Sequence, residues 1–149
     1  MDKELAVQSL TDTMAKFTAY IGKRLPKDVK SKLIELKTLE TNPLAKSIYD
    51  SMDENQEAAD RLNRPSCQDT GVIQYFVEAG AHFPLLGELQ EILREATEEA
   101  TRTGPLRHNA VETFDEKNTG TNTGTQIPWL DWRIVPEQDT CTIDVYMAG

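Results

Sequence analysis

The residues best suited to chemistry stand at consecutive positions. Cys67, Gln68, Asp69 and Thr70 bring a thiol, a carboxamide, a carboxylate and a hydroxyl into one stretch, Asn63-Arg64-Pro65-Ser66-Cys67-Gln68-Asp69-Thr70-Gly71. Pro65 fixes its own backbone and biases Arg64 away from helix. Gly71 admits a backbone angle that other residues resist. This is the composition of a shaped loop that presents side chains. Val72-Ile73-Gln74-Tyr75-Phe76-Val77 follows at once and predicts a buried strand, so the loop is anchored to a rigid element. Taken singly, each residue has a plainer reading. A lone cysteine is commonly a small buried thiol. An aspartate in a loop commonly caps nearby amides, and an isolated arginine such as Arg107 commonly pairs with a surface glutamate.

The elements that must hold this loop follow from periodicity. Ala6, Leu10, Met14, Phe17 and Ile21 recur at three- and four-residue steps and predict an amphipathic helix. Pro26 ends it or begins the next, in which Val29, Leu33 and Leu36 keep helical spacing. Asn42-Pro43 is a helix start, with Asn as cap and Pro in the first turn. Leu44, Ile48, Met52, Ala59 and Leu62 predict the buried face of this third helix. Beyond the strand, Gly80 and Pro84 mark a turn. Leu85, Leu89, Ile92, Leu93, Ala96 and Ala100 predict a fourth helix, stopped by Gly104-Pro105. The stretch from Phe114 to Gln126, rich in Asn, Thr and Gly, reads as loop. Trp129 to Val135 and Thr142 to Met147 predict two strands, and Pro136 and Asp139 between them predict a hairpin. The class is α+β: a helical N-terminal half (1–62), then an α+β region (63–149) with a mixed sheet and one or more packed helices, which carries the site residues. Strands and helices do not alternate regularly, so a doubly wound sheet is not expected.

Composition narrows the function. A chain of 149 residues is one compact domain by default. Hydrophobic content of 38% with 28% charged residues belongs to a globular protein, and the net charge of −9 argues against nucleic acid, whose phosphates need a basic face. Such an acidic protein must concentrate its cations locally to hold an anion, which singles out any Arg near the central loop. No apolar run approaches the roughly 20 residues of a membrane span, and the first 25 residues do not have the pattern of a signal peptide. Two cysteines in that setting predict reduced thiols and a cytoplasmic protein.

Four motifs in order carry a resemblance: Asn63 to Gly71; Phe83-Pro84-Leu85-Leu86-Gly87-Glu88-Leu89; Pro105-Leu106-Arg107-His108-Asn109-Ala110-Val111; and Asn118-Thr119-Gly120. With Val145-Tyr146-Met147-Ala148-Gly149, they resemble the iron–sulfur hydro-lyase family of class I fumarases and L(+)-tartrate dehydratase α subunits. The resemblance implies elimination of water from a 2-hydroxy dicarboxylic acid, with L(+)-tartrate to oxaloacetate placed before malate to fumarate. It implies that Cys67 is one of three thiolates holding a 4Fe-4S cluster, leaving one iron open as a Lewis acid. It implies Asp69 as the proton-transferring residue, Gln68 and Arg107 as substrate carboxylate ligands, and Thr70 and Gly71 as shapers of the loop. It also implies an oligomer and a β subunit or C-terminal domain that completes the active site. The family's other two cysteine ligands come later than the matched region, so the chain is expected to be the N-terminal part of an α subunit, inactive alone. The rival reading is a non-catalytic remnant.

The remaining residues read more plainly. Cys141, at a strand start, is expected to be structural. His108 is expected to make a structural hydrogen bond, with proton donation as the other option, and Arg64 is open to either an anion-binding or a surface role. Asn118 to Gly124 lacks the Lys and the strand–glycine–helix setting of a phosphate cradle and is expected to be a flexible loop near the site or a subunit contact. Trp129 and Trp132 are expected in a core or an interface, and Asp115 and Glu116 in solvent. No His, Cys and Glu set has zinc-ligand spacing.

Overall fold

A computed structural model describes residues 2–67 and 69–149; Gln68 lies outside the described residues. The order is α1 (Lys3–Ile21), α2 (Lys27–Leu39), α3 (Pro43–Leu62), β1 (Val72–Gly80), α4 (Leu89–Thr103), β2 (Trp129–Val135) and β3 (Cys141–Ala148). This is the expected α+β arrangement. Two helix starts, those of α1 and α3, are set by side chains: Asp2 accepts from the Glu4 N–H, and Asn42 accepts from the Leu44 N–H with Pro43 in the first turn. Asn63 ends α3 in the left-handed conformation, at φ 50°, which asparagine adopts at low cost.

The core lies on one face of the sheet. Ile73, Tyr75, Val77 and Ala79 alternate inward from β1 and meet Met14 and Ala15 of α1 and Leu89, Leu93, Ala96 and Ala100 of α4. Tyr75 is fully buried, and its hydroxyl sits 3.1 Å from Thr18 Oγ1 of α1 and 3.0 Å from Thr97 Oγ1 of α4. Thr97 donates in turn to the Leu93 carbonyl. A phenol in this apolar layer would otherwise carry an unpaired hydroxyl.

Three expectations are corrected. First, β2 and β3 form no hairpin. The strand order is β2-β1-β3, with β1 parallel to β2 and antiparallel to β3. Residues 136–140 pass over the end of β1 instead, held by Gly80 N–H to Thr140 O (2.8 Å) and His82 N–H to Gln138 O (2.8 Å). A Cβ at Gly80 would stand 2.2 Å from the Gln138 carbonyl, so glycine is required at this crossing. Second, α3 does not bury the face its periodicity predicts: Ala59 is buried, while Leu44, Ile48, Met52 and Leu62 are exposed. Helix α2 buries no residue at all. Both helices lean mainly on each other, and Lys37 bridges Asp50 and Asp53 across them. Third, α1 buries Thr11, Met14, Ala15 and Thr18, a face that leaves Phe17 exposed. Trp129 and Trp132 are also exposed, so neither is a core residue.

Tyr75→Phe should lower unfolding stability by about 1–2 kcal/mol, because the Thr18 hydroxyl then lacks its partner. Burial also pushes the Tyr75 phenol above its ordinary value. A raised folded value means that the phenol's contribution is complete below about pH 10, the unfolded value, and is lost as pH rises through the folded one. Urea titrations from pH 8 to 11 should therefore show an alkaline loss in the wild type that is smaller in Tyr75→Phe.

Candidate functional site

Three loops meet at the Val72 end of β1. The first runs from the end of α3 to β1. It is tied down before the reactive residues are reached: Ser66 N–H donates to Gly22 O, and Asn55 Nδ2 donates to Ser66 O at 2.7 Å. Cys67 then emerges exposed, beside a cleft of about 510 Å³ shared with Leu25, Leu33, Ile34 and Met52. Asp69 is exposed and Thr70 is buried. The Asp69 Oδ1 atom accepts from the Gly71 N–H at 2.7 Å, which closes a tight turn. Gly71 sits at φ +74°, and a Cβ there would lie 2.2 Å from the Ala148 carbonyl of β3. The turn and the strand end therefore approach to a distance only glycine permits.

The second loop follows α4. Leu106 is buried and anchors it, so Arg107 and His108 are left exposed. It is stitched to the first loop. Arg107 N–H donates to Thr70 Oγ1 at 3.2 Å, and Asn109 Nδ2 donates to Asp69 Oδ1 at 2.6 Å and Thr70 Oγ1 at 3.3 Å. The structure thus brings Asp69 and the Arg107 backbone together although all of β1 and α4 separates them in the chain. Thr70 is more than a shaper of its own loop, because it receives both donors. Among the described residues the Arg107 guanidinium makes no ion pair, unlike the surface arginines Arg94 and Arg102, which pair with glutamates of their own helix.

The third loop, 118–127, is not the free loop its composition predicts. Asn122 is buried, at φ 58°, and its side chain meets the second loop and α4. Thr123 Oγ1 donates to Glu98, and Glu112 accepts from the Thr125 N–H at 2.6 Å. That bond, with help from the Thr125 hydroxyl, holds the Glu112 carboxyl below the usual range. Neither Asn109 nor Asn122 stood out in the sequence. For Asn122 the available signal was its Asn-Thr-Gly context, where a carboxamide tolerates positive φ and can bond backbone, and for Asn109 it was its place in the Pro105–Val111 motif. His108 accepts, through its backbone carbonyl, from Asn118 Nδ2. Asp115 and Glu116 are exposed, as expected.

The donor set fits one cluster ligand and not a whole cluster. Among the described residues, no three His, Cys, Asp or Glu side chains come together to hold a metal. Cys141 pairs with Ala79, at the far end of β1, about 23 Å along the strand from Val72 at the usual rise. Its thiol is half-buried against the core and pushed up by that burial. The structural reading of Cys141 fits this position.

The family model for fumarate hydratase (Fumerase) matches residues 11–149. The chain is 56% identical over 148 residues to the L(+)-tartrate dehydratase subunit alpha of Escherichia coli (strain K12), covering 99% of this chain and 49% of that one. The subunits of the same name from Escherichia coli O157:H7 and Shigella sonnei (strain Ss046) are 57% and 56% identical over the same shares. The chain spans about half the length of these relatives. No helix among the described residues is long and apolar enough to cross a membrane.

Gly71→Ala should destabilise the fold by about 1–3 kcal/mol, since it adds both a disfavoured φ and a backbone clash. The urea midpoint measures it. An unchanged midpoint would mean that β3 and the turn separate freely.

Proposed function

The chain belongs to the fumarate hydratase (Fumerase) family, and on that premise we propose that it forms part of the α subunit of a hydro-lyase acting on a 2-hydroxy dicarboxylic acid. L(+)-tartrate, converted to oxaloacetate, is the first substrate reading, because the relatives matched along 99% of the chain carry that name. Malate and fumarate are the second, favoured by the description of the family model. The observation that carries the proposal is the stitching of the Asp69 loop to the Arg107 loop. It sets an exposed carboxylate beside the segment of an exposed guanidinium that makes no ion pair among the described residues.

In the elimination, the C–O bond at one carbon and the C–H bond at its neighbour break, and a carbon–carbon double bond forms. Tartrate yields an enol that becomes the keto acid. Arg107 binds a substrate carboxylate through paired N–H donors. The nearby hollow lined by Glu95, Glu98, Glu99 and Arg102 has its arginine paired to Glu99, and Arg94 is paired to Glu98, so neither of those cations competes with Arg107 for a substrate carboxylate. Asp69, with Oδ1 committed to Gly71 and Asn109, has Oδ2 to transfer a proton at the departing hydroxyl. Cys67 would be one thiolate of a 4Fe-4S cluster, whose remaining ligands lie outside these residues. When bound, such a cluster supplies Lewis acidity toward the hydroxyl. Gln68 is retained as a second carboxylate ligand on the resemblance alone. A β subunit is the proposed partner, in keeping with the relatives' designation as alpha subunits, and a reducing cytoplasm suits two free cysteines.

Arg107→Lys in the complete enzyme should leave iron content intact and reduce kcat/KM about 30- to 150-fold, the equivalent of about 2–3 kcal/mol for one lost bidentate contact. An unchanged constant would return Arg107 to the surface.

Cys67→Ser should remove the cluster, because a hydroxyl is a poor substitute for thiolate on iron. Asp69→Asn should keep the cluster and lose roughly 100- to 10,000-fold in turnover. Visible absorbance and iron content report the first, and product absorbance reports the second. Loss of iron in Asp69→Asn would make Asp69 a ligand or a brace and overturn its assigned role.

A further inference from the structure

The proposed reaction uses Asp69 and Arg107, and Asp69 is held both by the Gly71 N–H of its own turn and by Asn109 Nδ2 of the second loop. Both site residues depend on the 107–110 backbone, and that backbone depends on one carboxamide. Asn122 Oδ1 accepts from the N–H groups of Asn109 (2.9 Å) and Ala110 (3.2 Å). Asn122 Nδ2 donates to the Arg107 carbonyl (2.8 Å) and to Thr101 Oγ1 of α4 (3.1 Å). An asparagine side chain offers two acceptor sites and two donors, and all four are used. Thr101 in turn donates to the Thr97 carbonyl at 2.8 Å, so the chain of bonds ends on the helix packed against the core. Asn122 is only 4% exposed, so water cannot readily replace these partners.

We propose that Asn122 is a positioning residue of the hydro-lyase site, which clasps the Arg107–Ala110 backbone to α4 and thereby sets both Arg107 and, through Asn109, Asp69. The path is short and continuous: Asn122 fixes the backbone of Asn109, and the Asn109 side chain grips Asp69 Oδ1 and Thr70 Oγ1. A single residue outside the four assigned site positions therefore couples the substrate-binding and proton-transferring groups. This role rests on the function proposed above.

The test uses the complete enzyme. Asn122→Gly keeps the left-handed backbone and deletes the carboxamide. Asn122→Asp keeps the acceptors and loses the donors. Thr123→Ala, from the same buried loop, removes the bond to Glu98 and serves as a structural control. Asn122→Gly should raise the KM for L(+)-tartrate or malate about tenfold and lower kcat about tenfold, as expected when a positioning shift weakens both binding and chemistry. Asn122→Asp should fall between it and the wild type. Asn109→Ala should cost clearly less in the Asn122→Gly background than alone, because the two act in one path. Amide hydrogen exchange at Asn109 and Ala110 should speed up in Asn122→Gly and not in Thr123→Ala. A lowered Tm with kinetics and coupling like those of Thr123→Ala would overturn the proposal and reduce Asn122 to a loop brace. If the wild-type enzyme turns over neither acid, the functional reading fails and takes the catalytic part of the proposal with it. Unchanged amide exchange would then overturn the clasp itself.

Discussion

The buried Tyr75 hydroxyl governs how the two long packed helices sit on the sheet. β1 is the central strand, and its inward residues must face a dry layer. A phenol there has to bring its own partners, and Thr18 and Thr97 supply them from α1 and α4. Apolar packing alone tolerates small slides of a helix over a sheet, because dispersion is non-directional. Two directed hydrogen bonds do not. The position of α4 is what the functional loops inherit, since Thr101 lies one turn beyond Thr97 on the same face.

Those loops illustrate how an irregular region is made firm. A meeting of three loops carries many backbone groups that no ladder satisfies. Short polar side chains satisfy them instead. Asp69 does so for Gly71, Thr70 for Arg107, Asn118 for Gly120, and Asn122 for Asn109, Ala110 and Arg107. Asparagine is favoured twice here, for its tolerance of positive φ and for its four hydrogen-bonding positions. Gly71 adds the close approach to β3. The reactive side chains are left exposed on a scaffold whose backbone polar groups are largely paired.

The outer face of the sheet and the α2–α3 pair are unlike this. The outer face of the sheet carries Phe76, Trp129 and Tyr146, all exposed, and α2 and α3 present Ile34, Leu39, Leu44 and Ile48 to solvent. β2 and β3 are the two edges of the sheet, and their outer rows of N–H and C=O groups are unpaired within the described residues. The core is therefore one-sided. It consists of α1 and α4 over β1, with β2 and β3 contributing from the flanks.

Much of this was legible in the sequence. The four helices, their caps at Asn42-Pro43, the α4 core face and the three strands follow from period, capping chemistry and punctuation by Gly and Pro, all of which are local. The α+β class follows from their order, and the family from motifs that are contiguous in the chain. What stayed hidden was whatever depends on partners distant in sequence. Periodicity shows that α3 has an apolar face and cannot show that nothing among these residues covers it. Two strands joined by a short turn signal suggest a hairpin, yet β1 offers both of its edges and separates them. Asn122 looked like loop filler, because its four partners come from residues 101, 107, 109 and 110, and only the folded chain puts them within reach of one carboxamide. Local chemistry wrote the elements and the reactive residues. The tertiary structure decided which of them meet, because hydrogen-bond and burial partners are set by distance in space and not in sequence.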